Sequence, residues 1–212
     1  MKRIEDKWAQ LTAFTNNTEQ KDQLLNEIKK AYSSPNRTYH NLAHIATLLD
    51  MCEEHMHTLQ NPVVVGFAIL YHDVVYDTER RDNEEKSAEK ARRHLKMLGL
   101  KRSFIAEIEA FILATKDHVI PEEVEQKNDL AYFLDFDLAI LGLPGIAYEA
   151  YRKSIRQEYL QYRTHVYKEG RRQAMMQLLD KEYLFYTEEF RERYEQQARE
   201  NINNELAELV LN

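Results

Sequence analysis

The sequence is poor in cysteine, glycine and proline. Cys52 is the single cysteine among 212 residues, which excludes an internal disulfide and a thiolate metal cluster and fits a reducing compartment. Only 5 glycines and 4 prolines are present, so few tight turns interrupt the chain. This composition favours long helices.

The sequence also lacks a long apolar run. The longest one begins at Val63 and ends before His72, far short of the about 20 residues that a membrane-spanning helix needs. The amino terminus is charged from its second residue, so it lacks the apolar core of a signal peptide. We therefore expect a cytoplasmic protein without a membrane partner.

An excess of positive charge is absent as well, because the formal net charge is -7 at pH 7. A nucleic acid polymer is therefore not expected as a partner, since non-specific affinity for phosphate backbones comes from clustered Lys and Arg. A small anionic ligand stays compatible with this balance if the basic groups are local. The length and the 43% of hydrophobic residues suit one globular domain, which we expect to span residues 1–212.

Apolar residues recur at helical spacing between helix start and stop signals. Residues 17–20 match a capping box that opens a helix through about Tyr32. A second helix is predicted from Asn41 to about Leu59 by its apolar spacing. Asn61 followed by Pro62 predicts the start of the third, and Asp82 and Ser103 are the expected caps of the two helices after it. These signals predict helices in the first half of the chain.

The second half repeats the helical pattern. Apolar and aromatic residues recur every three or four positions between Ile146 and Val166, which predicts one long helix interrupted at Gly170. Strand alternation appears nowhere in the sequence. We predict an all-α, single-domain helical bundle.

A His and an Asp directly follow the longest apolar run. Burying His72 and Asp73 together costs several kcal/mol unless a partner satisfies them, and a divalent cation satisfies both. Upstream, His40 and His44 have the i, i+4 spacing that places two side chains on one face of a helix beginning near Tyr39. Pairs of His on solvated helix faces are common, however. We expect His55 and His57 to be such a solvated pair.

Downstream, Asp137 also stands among apolar residues, and the resulting order resembles a known family. A single His (His44), an adjacent His-Asp pair (His72 and Asp73) and a distant Asp (Asp137) form the signature of the HD superfamily of metal-dependent phosphohydrolases. Several stretches look more narrowly like a subfamily described as predicted HD phosphohydrolases: residues 37–41, 72–77, 82–88, 114–118 and 137–142. With residues 156–159 and 170–171, the similarity spans nearly the whole chain.

This resemblance implies an HD-type helical fold with one metal centre. His44, His72, Asp73 and Asp137 would be the ligands of one divalent ion. Two neutral imidazoles and two carboxylates suit Mn, Fe, Co, Ni, Zn or Mg, and no soft sulfur ligand is present. The resemblance does not select among these metals.

The implied activity is hydrolysis of a small phosphomonoester or phosphodiester, nucleotide-like in character, by metal-activated water. Carboxylates and a His within the similar segments are candidates for orienting that water and moving protons: Asp77, Glu84 and His118. Substrate phosphates would be contacted by a further set of side chains: Arg37, His40, Lys116, Arg156 and Arg171. Lys116 and each of these arginines have the alternative interpretation of a surface cation.

Two other functions are compatible with the same residues. One is a non-catalytic, metal-containing module that binds a ligand for regulation. The other is an HD-type di-iron oxygenase, which would need His94 and His118 as additional ligands. Because His94 is expected on a helix surface, we favour one metal with His118 lining the pocket. The apolar helical faces are compatible with a homodimer.

Overall fold

A computed structural model describes residues 2–211 of the chain. Helices make up 69% of it, and the described residues contain no strand. The all-α prediction is therefore confirmed. The chain divides into two compact units, Met1–Phe133 and Leu134–Asn212, which are described one at a time. The single-domain organisation stays a prediction.

Unit 1 is built from six helices and the first part of a seventh. Their bounds are α1 Lys2–Leu11, α2 Thr18–Tyr32, α3 Leu42–Glu54, α4 Pro62–Tyr71, α5 Asn83–Met97, α6 Arg102–Ala114 and α7 Lys127–Leu138. Helix α7 begins in unit 1 and ends in unit 2, because the division between the units falls between its residues 133 and 134.

The core of unit 1 surrounds α4. Every α4 residue from Val64 to Tyr71 is buried, and this helix contacts α1, α3, α5 and α6. A helix that is apolar on all sides is stable only when other elements cover all of its faces. Cys52 of α3 is buried too, and burial raises the pKa of its thiol to about 11. The short apolar run of the sequence is thus a buried core helix, and its single cysteine is a buried free thiol.

The helix starts agree only in part with the sequence signals. Asn17 caps α2 as predicted, because its side chain accepts a hydrogen bond from the backbone N–H of Gln20. Asp82 forms no capping bond at α5 and pairs with Arg80 at 2.7 Å instead. Ser103 lies inside the first turn of α6, which begins at Arg102.

The start of α4 is stabilised by a residue that is distant in sequence. The side chain of Asn61 forms no capping bond. The buried carboxylate of Asp129, on α7, accepts hydrogen bonds from the backbone N–H groups of Gln60 at 2.9 Å and Asn61 at 2.6 Å. A carboxylate at a helix amino terminus also interacts favourably with the helix dipole. The cap is therefore provided by tertiary structure.

Unit 2 continues from the end of α7. It contains the 3-10 turn Ala139–Gly142, α8 Gly145–Glu158, α9 Thr164–Leu179, α10 Glu188–Phe190, the π-helical turn Arg191–Glu195 and α11 Gln196–Leu211. The prediction of one long helix through Val166 is wrong, since the chain leaves the helix between Glu158 and Thr164. The prediction of an interruption at Gly170 is also wrong, because this residue lies within α9.

Within unit 2, a buried charge network joins three helices. Arg171 of α9 donates to Glu205 of α11 at 2.8 and 3.1 Å, and the hydroxyl of Tyr148 on α8 donates to the same carboxylate. Burial raises the pKa of Glu205, but its contacts with Arg171 and Tyr148 outweigh that effect and hold the pKa below its usual value. Satisfying both charges in this way makes their burial tolerable.

Residues 2–211 contain no single helix with the length and apolar composition needed to cross a bilayer. The successive segments Lys127–Gly142 and Gly145–Glu158 reach that length only as a pair, which is bent by 102°.

Two glycines of unit 2 provide a matched test of the packing. A Cβ atom at Gly142 would lie 2.7 Å from the carbonyl oxygen of Tyr194, whereas one at Gly170 would meet nothing within 4 Å. We expect Gly142→Ala to lower the free energy of unfolding by about 1–3 kcal/mol, because backbone atoms would have to move. Gly170→Ala should raise it by up to about 1 kcal/mol through helix propensity. Urea unfolding followed by circular dichroism measures both, and equal effects of the two variants would contradict the close approach at Gly142.

Candidate metal centre

The end of α4 fixes the orientation of His72. The helix ends at Tyr71, and the backbone N–H of His72 still donates to the carbonyl of Ala68 at 2.9 Å. The ring atom Nδ1 of His72 lies 2.9 Å from the carbonyl oxygen of Ile69. Since a carbonyl only accepts, Nδ1 carries a proton, and Nε2 is the nitrogen that can offer a lone pair. A hydrogen bond from the ring nitrogen that does not bind the metal is the usual way in which a metal-binding His is oriented.

His44 faces His72 from α3. It is buried, and its Nε2 lies 3.4 Å from Nε2 of His72. Asn41 caps α3 by accepting a hydrogen bond from the N–H of Ala43 at 2.8 Å, and this cap sets where the first helical turn places His44. Metal–nitrogen bonds of ~2.1 Å in a tetrahedral site put two ligand nitrogens about 3.4 Å apart. The spacing of the two rings therefore fits a shared cation.

Asp137 completes a group of three ligand atoms. One atom each from His44, His72 and Asp137 lies within 4.8 Å of the others. The two His are buried and Asp137 is half-buried. Asp137 lies on α7, the continuous helix that starts in unit 1 with Lys127. These three side chains, which the sequence places almost a hundred residues apart, can together hold a metal ion.

Asp73 lies beside this group. Its Oδ2 is 3.1 Å from Nε2 of His72. The backbone of Asp73 is held on both sides, because its N–H donates to the hydroxyl of Tyr32 at 3.2 Å and its carbonyl accepts from Arg37 at 2.6 Å. Its carboxylate is not one of the three mutually close groups, and its role as a metal ligand stays a prediction.

The donor atoms of this site suit a divalent ion. Imidazole nitrogens and carboxylate oxygens are ligands of borderline to hard cations, and a buried cluster of such atoms without a proton or cation between them would be repulsive. The chemistry of the residues therefore fits a divalent metal without identifying which one.

Arg37 holds the loop that follows His72. It is buried, and its guanidinium donates to the carbonyls of His40, Asp73 and Val74. The guanidinium lies 5.0 Å from the ring of Tyr32 and 5.4 Å from that of Tyr76, a cation–π arrangement. This positioning role was not predicted from the sequence, and phosphate contact by Arg37 stays a prediction.

Two further substrate candidates lie in unit 1. His40 precedes α3, so it does not share a helix face with His44 as predicted, and its ring stacks on Tyr76 with centroids 4.4 Å apart. Lys116 is exposed, pairs with Glu85 and donates to the carbonyl of Arg81 at 3.0 Å. Contact of either side chain with a substrate remains a prediction.

The three catalytic candidates have different surroundings. Asp77 is exposed, and its carboxylate accepts from the N–H of Glu79 at 2.9 Å within the loop before α5. Glu84 is half-buried in the first turn of α5, where burial and the charge of Asp73 raise the pKa of its carboxyl. His118 follows α6 with a left-handed backbone, φ 49°. A role of any of the three in moving protons stays a prediction.

Unit 2 contains the other two arginines, and both are engaged in structural contacts. Arg156 donates to the carbonyls of Tyr159 at 2.8 Å and Tyr162 at 3.4 Å, where α8 ends. These bonds stabilise the end of the helix, because the guanidinium donates to carbonyls that lie beyond the last helical residue. Arg171 is the buried partner of Glu205. Substrate binding by Arg156 and Arg171 stays a prediction.

Two His residues, His94 and His55, lie outside the group of three and are buried where the sequence predicts exposure. His94 is buried rather than on the surface, with its Nδ1 3.2 Å from the hydroxyl of Tyr71 and its Nε2 3.2 Å from Glu27. Burial lowers the pKa of His94 to about 4. His55 is buried as well, not solvated, because its Nδ1 bonds to the carbonyl of Met51 at 2.7 Å.

No family model, curated protein or solved structure matches this chain.

Metal analysis of protein purified without chelator tests the centre directly. We expect His72→Ala to lower the affinity for a divalent metal by more than about tenfold, because it removes a direct ligand. Loss of a group that only orients a metal ligand already lowers metal affinity by about tenfold or more. His57→Ala removes an exposed His of the same unit and should leave the metal content unchanged. Equal metal contents of the two variants would exclude His72 as a ligand.

Asp73→Ala addresses the fourth predicted ligand. We expect bound metal to be lost while the helical circular dichroism stays largely intact, because the carboxylate of Asp73 is 3.1 Å from the ring nitrogen of His72. Asp50→Ala, which removes an exposed carboxylate on α3, is the control. An unchanged metal content in Asp73→Ala would remove Asp73 from the ligand set.

Proposed function

We propose that this chain is a metal-dependent phosphohydrolase of the HD superfamily, acting in the cytoplasm on a small phosphomonoester or phosphodiester. The observation that carries the proposal is the mutual approach of His44, His72 and Asp137, in the order of the HD signature and on an all-helical chain. Asp73 next to His72 supplies the adjacent His-Asp pair of that signature. The nucleotide-like character of the substrate follows from the family resemblance alone.

The residues of the chain would hold one divalent cation and control its surroundings. When bound, such a cation lowers the pKa of a coordinated water toward neutrality and polarises a phosphoryl oxygen. The Ile69 carbonyl holds the imidazole of His72 in one orientation. Arg37 and Tyr32 fix the backbone of Asp73. No nucleophilic Ser or Cys is required for hydrolysis by water.

Glu84 is the proposed proton carrier. Burial raises its pKa, which brings its carboxyl closer to the range in which it both accepts and releases a proton at neutral pH. A carboxylate in the first turn of α5 is also favoured by the helix dipole, which is a purely structural alternative. If Glu84 carries protons, loss of its carboxylate lowers turnover, whereas a purely structural role leaves turnover unchanged.

A phosphate-release screen over nucleotides and generic phosphoesters, joined to the metal analysis, tests the reaction class. Release of phosphate that depends on a divalent metal would support the hydrolase. Metal without hydrolysis of any of these esters would favour the non-catalytic ligand-binding module. Two irons per chain would favour the di-iron oxygenase, although His94 is already bonded to Tyr71 and paired with Glu27.

Glu84→Gln separates catalysis from structure. We expect turnover of the best phosphoester to fall by roughly 10²–10⁴-fold, because the amide cannot exchange a proton, while metal content stays unchanged. Glu79→Gln, an exposed carboxylate in the preceding loop, is the control and should keep full activity. Wild-type turnover in Glu84→Gln would leave this residue only its structural role.

A further inference from the structure

A groove of about 800 Å³ follows α5 in unit 1 and carries a strong local excess of positive charge. Its lining includes two carboxylates, from Asp77 and Glu89, and six cations: Arg80, Lys86, Lys90, Arg92, Arg93 and Lys96. The formal excess of four positive charges contrasts with the net charge of -7 for the chain. We call this feature the α5 groove.

Half of these cations are already neutralised by carboxylates. Arg80 pairs with Asp82, Lys86 with Glu89, and Arg92 with Glu109. These pairs leave the positive character of the groove to the remaining three cations.

Lys90, Arg93 and Lys96 form no ion pair with any residue in the range 2–211. They follow Lys86 at helical spacing on α5, and the row from Lys86 to Lys96 is about 15 Å long. Like charges at this spacing repel one another, which a bound anion would relieve.

Lys90 indicates how unfavourable this row is. The side chain is half-buried, and burial lowers the pKa of its ammonium group. Glu27 opposes that effect, whereas the positive charges of Arg93 and Arg37 lower the pKa further. A cation in these surroundings is stabilised by an anion placed next to it.

The shape and chemistry of the α5 groove restrict its ligand. Its volume falls within the range of about 300–1,000 Å³ typical of small-molecule sites. Its lining contains no aromatic side chain for stacking on a base, so charge is the main basis of recognition. Arginine and lysine side chains are the usual ligands of phosphate groups.

We propose that the α5 groove binds a small, multiply phosphorylated molecule through its phosphates. None of the four predicted metal ligands lines the groove, so this site is separate from the candidate metal centre. Val75 and Asp77 do line it, and they belong to the loop that follows His72 and Asp73. A ligand in the groove would therefore contact the same loop that positions the predicted metal ligands.

Calorimetric titration of the full chain with inorganic tripolyphosphate, at pH 7 in the presence of a chelator, tests the proposal. The triple variant Lys90→Ala/Arg93→Ala/Lys96→Ala should bind at least tenfold more weakly than the wild type. The control Lys101→Ala/Arg102→Ala/Lys127→Ala removes three exposed cations of unit 1 outside the groove and should change the affinity less than twofold. Equal weakening of both triple variants would overturn the proposal.

Two further measurements define the ligand and the site. His72→Ala should bind tripolyphosphate as tightly as the wild type, and loss of binding there would place the anion at the metal centre instead. A hexaglutamate peptide that bound as tightly as tripolyphosphate would overturn the assignment to phosphate. Arg93→Gln, a single exposed substitution, replaces the triple variant if the latter loses its helical circular dichroism, and wild-type affinity in Arg93→Gln would then overturn the proposal. These results do not depend on whether the chain hydrolyses phosphoesters.

Discussion

The hydrogen bond between Nδ1 of His72 and the carbonyl of Ile69 is the constraint on which the candidate centre depends. An imidazole buried at the end of an apolar helix has to satisfy both of its nitrogens. The bond to Ile69 satisfies one of them with a group of the same helix and directs the other toward His44. Because α4 is buried on all sides, the ring has little freedom to turn away. The packing around α4 thus fixes the orientation of the His72 ring in the candidate centre.

Two aspartates on α7 show how position decides the use of a side chain. Within unit 2, Asp135 is buried and accepts hydrogen bonds from the backbone N–H groups of Tyr186 and Thr187 at 2.7 and 2.8 Å. Burial raises the pKa of Asp135 to about 6, while these donors act in the opposite direction. Asp137 follows two residues later and belongs to the group with His44 and His72. The same residue type therefore anchors a loop at one position and offers a ligand atom at the other.

The resemblance to the HD superfamily predicted the approach of His44, His72 and Asp137, and local patterns predicted the helical class and the cap of Asn17. They did not predict features that arise from tertiary contacts. Asp129 caps α4 from a distant position, and the guanidinium of Arg156 donates to the carbonyls where α8 ends. Gly170 stays helical because one glycine weakens a helix by only about 1 kcal/mol, which packing easily overcomes. Neither the basic row of α5 nor the groove beside it was predicted from the sequence.

The burial of Cys52 gives this protein an internal reporter. Cys52 lies on α3 with its thiol buried, and the raised pKa of this thiol keeps it protonated and hence unreactive at neutral pH. A thiol reagent can modify it only when this part of unit 1 opens. Since no other cysteine is present, the rate of labelling would measure the opening free energy of unit 1 without any engineered probe.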